Sequence, residues 1–262
     1  KTCHKIVTMK DYIFVLGRDP QLSMLELLSY LNCRKIEHCV REQKGPIALI
    51  SMQPQDFRQM IIKLGGTSKI AEVIKNLDAV DISQTTSNKI KYAISLYDST
   101  DIVDLKTYLK IRFRQEKMKA TLKKAKRKDP YLAPIEVVKL RLVEDGIEFV
   151  VFGGLIAHTV AVYNPIKYKE RDLKREKNAI SIRLAKILIN LAAIPWGTVS
   201  DPEGSGTITR EANSMGYKQG DRIADAVITA LPIEDYSNMQ KYRDIFKNYK
   251  TKSIVIAAPR IR

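Results

Sequence analysis

The sequence predicts an α/β protein whose amino-terminal half is α+β. Three observations carry this. Residues 9–80 place β-rich runs and helical apolar spacings in the order βαββαβ, the pattern of a ferredoxin-like two-layer unit. Residues 198–217 join a short apolar run, a glycine turn and a helix start, as a parallel sheet does at the end of a strand. Finally, 262 residues with 45% hydrophobic content supply two or three packed cores.

In chain order, Tyr12 to Leu16 is a β-rich run closed by Gly17 to Pro20. Ser23 and Glu26 then have the spacing of a capping box, and Leu22, Leu25, Leu28 and Leu31 are expected to share one helical face. Ile36 to Val40 and Ile47 to Ser51 read as strands around the Lys44-Gly45-Pro46 turn. Phe57, Met60, Ile61 and Leu64 mark a second helix, stopped by Gly65-Gly66, and Ile70 to Leu77 returns as a strand. Asp81 to Asn88 is polar and reads as a linker. Lys91 to Tyr97 is a strand, and Ile102, Leu105, Leu109 and Phe113 line one side of a helix. Ile135 to Leu142 fits helix or strand, whereas Phe149 to Phe152 and Ile156 to Tyr163 read as paired strands joined at Gly153-Gly154. Asn164 to Asn178 is a charged connector. Ile182 to Ala192 is an apolar helix, Asp225 to Leu231 a buried strand, Tyr242 to Tyr249 a helix and Ser253 to Ala258 a last strand.

Charge narrows the function classes. Lysine and arginine number 45 against 29 acids, a net +16. Lys106 to Lys128 holds eleven basic residues and one acid, and Lys167 to Lys177 six basic residues and three acids. Those two stretches carry 13 of the 16 excess charges, so the positive field is focused, as a nucleic-acid partner requires. Tyr108, Phe113 and Tyr131 lie among or beside these charges, where a ring either stacks on a base or, for Phe113, packs in the core. No run of about 18 apolar residues exists to span a membrane. Lys1 to Lys10 lacks the apolar core of a signal peptide, so a cytoplasmic location is expected. Cys3, His4, Cys33, His38 and Cys39 match no usual zinc spacing, and core thiols with ordinary histidines are expected rather than a metal.

The chemistry concentrates at residues 198–217. Asp201 and Pro202 end the apolar run, Gly204, Ser205 and Gly206 form the turn, and Thr207 to Ser214 begins a helix. Glycines admit close backbone approach and the helix N-terminus presents free N–H groups, which together suit an anionic or nucleotide-like ligand. Asp201, at the strand's carboxyl end, can accept hydrogen bonds from a ribose or amino group. Such turns also serve simply to join a strand to a helix.

Several segments together resemble the archaeal THUMP-domain tRNA guanine-N2 methyltransferases that modify guanosine at position ten. They are Leu16 to Pro20 with Leu22-Ser23 and Glu26-Leu27, Gly65 to Glu72, Arg171-Asp172, Arg183 to Leu191, and Asp201-Pro202 with Gly204 to Ile208. The resemblance implies a ferredoxin-like domain (9–80), a THUMP domain gripping the tRNA acceptor end (81–163), a linker (164–180) and a Rossmann-like S-adenosylmethionine domain (181–262). It implies cofactor contacts from Asp201, Pro202, Gly204, Ser205, Gly206 and Thr207. RNA contacts are expected from Lys110, Arg112, Arg114, Lys117, Lys119, Lys123, Lys124, Lys126, Arg127 and Lys128, with Arg171, Lys174 and Arg175 of the connector. It leaves open a small zinc-binding activator subunit on the last domain.

The departures from the family pattern are specific. Its cofactor loop carries Phe-Cys where this chain has Glu203 alone, placing an acid where a cofactor carboxylate would approach. Its base-flanking motif, an acid or Asn followed at the end by Pro-Tyr or Pro-Phe, corresponds here to Ala230-Leu231-Pro232-Ile233. Leu231 and Pro232 remain, and the acceptor and the ring are gone. From Asn178 to Arg262 there are 85 residues, enough for about three βαβ-type units and short of a seven-stranded sheet, and the shortage falls between Lys218 and Asp225. Two expectations follow: a tRNA guanine-N2 methyltransferase, or a tRNA-binding or adaptor protein descended from one and without its chemistry.

Overall fold

The computed structural model describes residues 9–79, 88–97, 103–123, 135–144, 147–158, 180–202, 206–230, 247 and 249–257. The protein is α/β. Its first elements are β1 (Lys10–Leu16), α1 (Pro20–Cys33), β2 (His38–Lys44), β3 (Ile47–Met52), α2 (Phe57–Lys63) and β4 (Thr67–Ile74). Then come β5 (Lys89–Tyr97), α3 (Val103–Gln115), β6 (Lys119–Leu122), β7 (Ile135–Glu144) and β8 (Ile147–His158). The chain continues with α4 (Ile182–Leu191), β9 (Thr198–Ser200), α5 (Thr207–Ser214), β10 (Lys218–Gln219), β11 (Ala226–Ala230) and β12 (Ser253–Ala257). These sort into two compact units. One takes its described residues from Lys1–Val15, Cys39–Arg58 and Lys69–Ala161, the other from Leu16–His38, Gln59–Ser68 and Val162–Arg262.

The first unit is built on an eight-stranded sheet in the order β2-β3-β1-β4-β8-β7-β5-β6. β1 pairs antiparallel with β3 from Lys10↔Met52 to Val15↔Ile47, and β4 with β8, whereas β5 runs parallel to both β6 and β7. One core joins Ile13, Val15, Ile47, Leu49, Ala71 and Val138. A second forms because Leu105, Leu109 and Phe113, four apart on α3, all face Ile90 and Tyr92 of β5, with the Tyr92 and Phe113 rings 5.1 Å apart. Each such burial removes apolar surface worth about 1.5–3 kcal/mol.

The second unit carries a four-stranded sheet in the order β10-β9-β11-β12, every pair parallel. Ala185, Leu188 and Ile189 of α4 and Ile208 and Ala212 of α5 close over Val199, Ala226 and Ile228 of that sheet. Ser181 caps α4, its side chain accepting from the Leu184 N–H at 3.2 Å.

Four local readings are corrected. Asp19, not Ser23, caps α1: its carboxylate accepts from the Leu22 N–H at 3.0 Å with Pro20 in the first turn, and the Ser23 hydroxyl donates to the Asp19 carbonyl instead. The leucines of α1 do not share a face, because a spacing of three walks off a 3.6-residue turn. Leu25 is exposed while Ser23, Met24, Glu26, Leu27, Tyr30 and Leu31 are buried. Gly153 and Gly154 do not break a hairpin, since β8 runs straight through them, paired to Val138 and Val137 on one side and Val73 and Glu72 on the other. Cys39 is exposed and Cys33 half-buried, so neither is a core thiol. Ile135 to Leu142 resolves as strand. The polar linker at 81–87, the connector at 164–178 and most of the helix expected at 242–249 lie outside the described residues.

At the amino edge of the four-stranded sheet Asp225 staples β11 to β9. Its Oδ2 accepts from the Thr198 N–H at 2.9 Å and from the Thr198 hydroxyl at 3.1 Å, and its Oδ1 accepts from Lys252 at 2.9 Å. The Lys252 bond first, then the Thr198 donors, hold its carboxyl down at about 2. A carboxyl lower in the folded than in the unfolded chain adds stability above its ordinary value and loses it as pH falls through the folded one. Urea unfolding of the native protein and the Asp225→Asn variant is therefore expected to show a stability difference that is full above pH about 4 and fades toward pH 2. A pH-independent difference would remove the ionic part of the staple.

Candidate functional site

The site read from the sequence sits at the opposite, carboxyl edge of the same sheet. β9 has β10 on one side and β11 on the other, so the chain changes direction across the sheet at β9, and the carboxyl ends of β9 and β11 are where such a sheet takes a ligand. Asp201 follows β9 directly, with both carboxylate oxygens buried. Ala230, buried, ends β11. Gly206 holds φ 76°, a left-handed conformation strained for a side chain, and opens α5 with no side-chain cap. The backbone carbonyl of Gly206 accepts the first helical bond from the Arg210 N–H at 3.0 Å, while Thr207 and Ile208 turn inward and are buried. A helix N-terminus at a strand's carboxyl end is suited to an anion. Pro202 is half-buried beside Asp201; Gly204, Ser205, Leu231 and Pro232 lie outside the described residues.

The cofactor implied by the resemblance needs a second half, a hydroxyl-binding acid at the carboxyl end of the neighbouring strand. Here that neighbour, β10, is two residues long, Lys218–Gln219, and is followed by Gly220 and the exposed acid Asp221. The crossover from β10 to β11 takes residues 220–225 alone, whereas parallel strands ordinarily need a dozen or more. It turns back tightly under β9: a Cβ on Gly220 would lie 2.7 Å from the Ala224 Cβ and 3.2 Å from that of Thr198. Among the described residues the strand, the left-handed turn and the helix start are present, and the chain passes from β10 through Asp221 to β11 without a helix.

Behind this edge lies a polar network whose role sequence reasoning missed. Glu26 of α1 is fully buried. Its carboxylate accepts from the Gly65 N–H at 2.7 Å, the Gly66 N–H at 2.6 Å and the Asn190 side-chain amide at 2.7 Å. Burial pushes its carboxyl above the ordinary value, and the N–H of Gly65, the amide of Asn190, the N–H of Gly66 and the Lys186 ammonium pull it back. Asn190 also donates to the Lys63 carbonyl at 2.9 Å. One turn earlier on α4, Lys186 donates to the Ile62 carbonyl at 2.6 Å and faces Glu211 of α5 at 3.8 Å, both side chains almost wholly buried. Gly65 lets α4 come this close, since a Cβ there would lie 2.1 Å from the Arg183 carbonyl oxygen. The signals were present in the sequence: an acid on the apolar stripe of α1, and Lys186 and Asn190 four apart inside an apolar helix.

In the first unit, Lys106, Lys110 and Arg114 recur every fourth residue along the exposed face of α3, continued by Lys117 and by Lys119 on edge strand β6. Arg112 is turned aside, its guanidinium bonded to Glu116 at 3.0 Å and to the Leu77 carbonyl. Lys123 is half-buried. Phe113 is core, and Tyr108 is exposed with its hydroxyl donating to Asp78. Lys124, Lys126, Arg127, Lys128, Tyr131, Arg171, Lys174 and Arg175, with Cys3 and His4, lie outside the described residues. Among the described residues no three His, Cys, Asp or Glu side chains come together to hold a metal, and no helix is long and apolar enough to cross a membrane.

No family model and no curated protein matches the chain. Solved structures similar to it include the following two. PH1313 from Pyrococcus horikoshii Ot3 is 9% identical with a TM-score of 0.40, over 96% of this chain and 80% of that one. A possible methylase from Clostridium difficile 630 is 13% identical with a TM-score of 0.42, over 96% of this chain and 76% of that one. Neither likeness assigns an activity.

Replacing Glu26 by Ala leaves three buried donors without their acceptor, at about 1–3 kcal/mol each. Denaturant unfolding is expected to lose at least about 3 kcal/mol for Glu26→Ala. A loss below about 1 kcal/mol would mean the network is incidental.

Proposed function

We propose that this is a tRNA-binding protein of the THUMP methyltransferase type, in which the four-stranded sheet is a platform and does not complete a methyl-transfer site. The observation that carries the second clause is the six-residue crossover at 220–225, too short for the helix that ordinarily joins parallel strands. The exposed cationic row on α3, with the chain's net +16, supports the first clause. The division into ferredoxin-like, THUMP and Rossmann-like parts, and a zinc-binding partner on the last, belong to the same reading.

A second reading has one observation in its favour. Asp201, the left-handed Gly206 and the open end of α5 keep the anion-binding half of the site. In that reading S-adenosylmethionine supplies the methyl group for a guanine amine. The chain's task would be positioning, Asp201 accepting from the cofactor's donors and the α5 N–H groups facing its carboxylate. Ala230 offers the base amine no acceptor.

Binding of unmodified tRNA, followed by fluorescence anisotropy across a salt series, tests the RNA clause. Affinity is expected to fall steeply with salt, and the triple change Lys110→Gln, Arg114→Gln and Lys117→Gln is expected to lower the log–log slope by about 2–3. A salt-independent affinity, or a slope unmoved by the triple change, would contradict it.

A further inference from the structure

The amino edge of the four-stranded sheet, away from Asp201, carries an exposed ring and cations that the reading above does not use. Trp196, the single tryptophan of the chain, is 76% exposed, and Ile223 is 75% exposed. Each lies three residues ahead of the registered pair Val199↔Ala226, so the two open neighbouring strands at the same level. The Thr198–Asp225 bonds fix their spacing. Three exposed cations lie on the same edge. Lys218 donates its backbone N–H to Gly197 at 2.9 Å, Arg222 adjoins Ile223, and the Lys250 backbone N–H bonds the Arg222 carbonyl at 3.1 Å while Lys250 bridges Ile223. All three side chains are exposed. The acids nearby are Asp221, exposed, and Asp225, already engaged by Lys252.

A single exposed apolar residue is ordinary, but an exposed indole and an exposed isoleucine at the entries of neighbouring strands, with exposed cations on the same edge, are the components of a stacking site. Every base has a π-face for the indole, and its backbone brings phosphates for the cations. The short crossover produces the arrangement, because it returns the chain to this edge at Arg222 and Ile223 with no intervening helix to cover Trp196.

We propose that this edge binds single-stranded RNA, with Trp196 stacking on an unpaired base and Lys218, Arg222 and Lys250 taking the flanking phosphates. The proposal rests on the RNA-binding reading and adds a second contact to it.

Because Trp196 is the only tryptophan, emission excited at the indole reports this site alone. Titration of the full chain with a short oligouridylate is expected to quench that emission saturably and to weaken with salt. By anisotropy with the same labelled RNA, Trp196→Ala should bind about five- to a hundredfold more weakly, and Trp196→Phe should recover part of the loss by keeping a ring. The triple change Lys218→Gln, Arg222→Gln and Lys250→Gln should weaken binding while leaving the quench at saturation. RNA bound with unchanged emission and unchanged Trp196→Ala affinity would overturn this site and leave the α3 contact standing. No binding by the native chain would overturn both. An equal quench by polyglutamate, or a shift in emission with protein concentration alone, would assign the edge to an acidic protein or to a second copy and overturn the proposal.

Discussion

The Glu26 carboxylate is the constraint on which the second unit depends. It satisfies two backbone N–H groups of the Gly65–Gly66 turn and the amide of Asn190, so α1, the turn and α4 meet at one buried acceptor. Lys186 extends the junction to α5 through Glu211. A buried network of this kind is high-stakes: complete, it fixes one geometry, and broken, it leaves donors stranded in a low-dielectric interior. Its consequence for function is positional. α5 is the helix that starts beyond the carboxyl end of β9, so the orientation of Gly206 and Thr207 relative to Asp201 follows from contacts made on the far side of α4.

Seen this way, three of the segments that carry the family resemblance share one structural cause. Residues from Gly17 to Glu26, the Gly65–Gly66 turn and the Arg183–Asn190 stretch converge on the same polar junction within the second unit. They hold a scaffold together; none of them presents a reactive group to the carboxyl edge. Scaffold and candidate site draw on different residues, so the junction does not by itself set the chemistry at the carboxyl edge.

Much of the fold was legible because its signals are local. The spacing of Leu105, Leu109 and Phe113 gave α3, the Thr207–Ser214 helix and the β11 run were read within a residue or so, and the shortage near Lys218 became the short crossover. The misreadings were of positions decided by distant partners. Gly153 and Gly154 look like a turn until two neighbouring strands pair through them, and Glu26 looks like a cap until Gly65, Gly66 and Asn190 surround it. The site was half legible for the same reason: Asp201 and Gly206 announce a strand–turn–helix locally, whereas the short path from β10 to β11 is set by which strands pair.

The most direct test of the account is calorimetric titration of the full chain with S-adenosylmethionine, free and with tRNA bound. The account predicts clear heat for tRNA and no saturable heat for the cofactor in either state. Micromolar cofactor binding, alone or once tRNA is bound, would contradict it and show that residues beyond β9 and α5 complete the pocket that the short crossover leaves open.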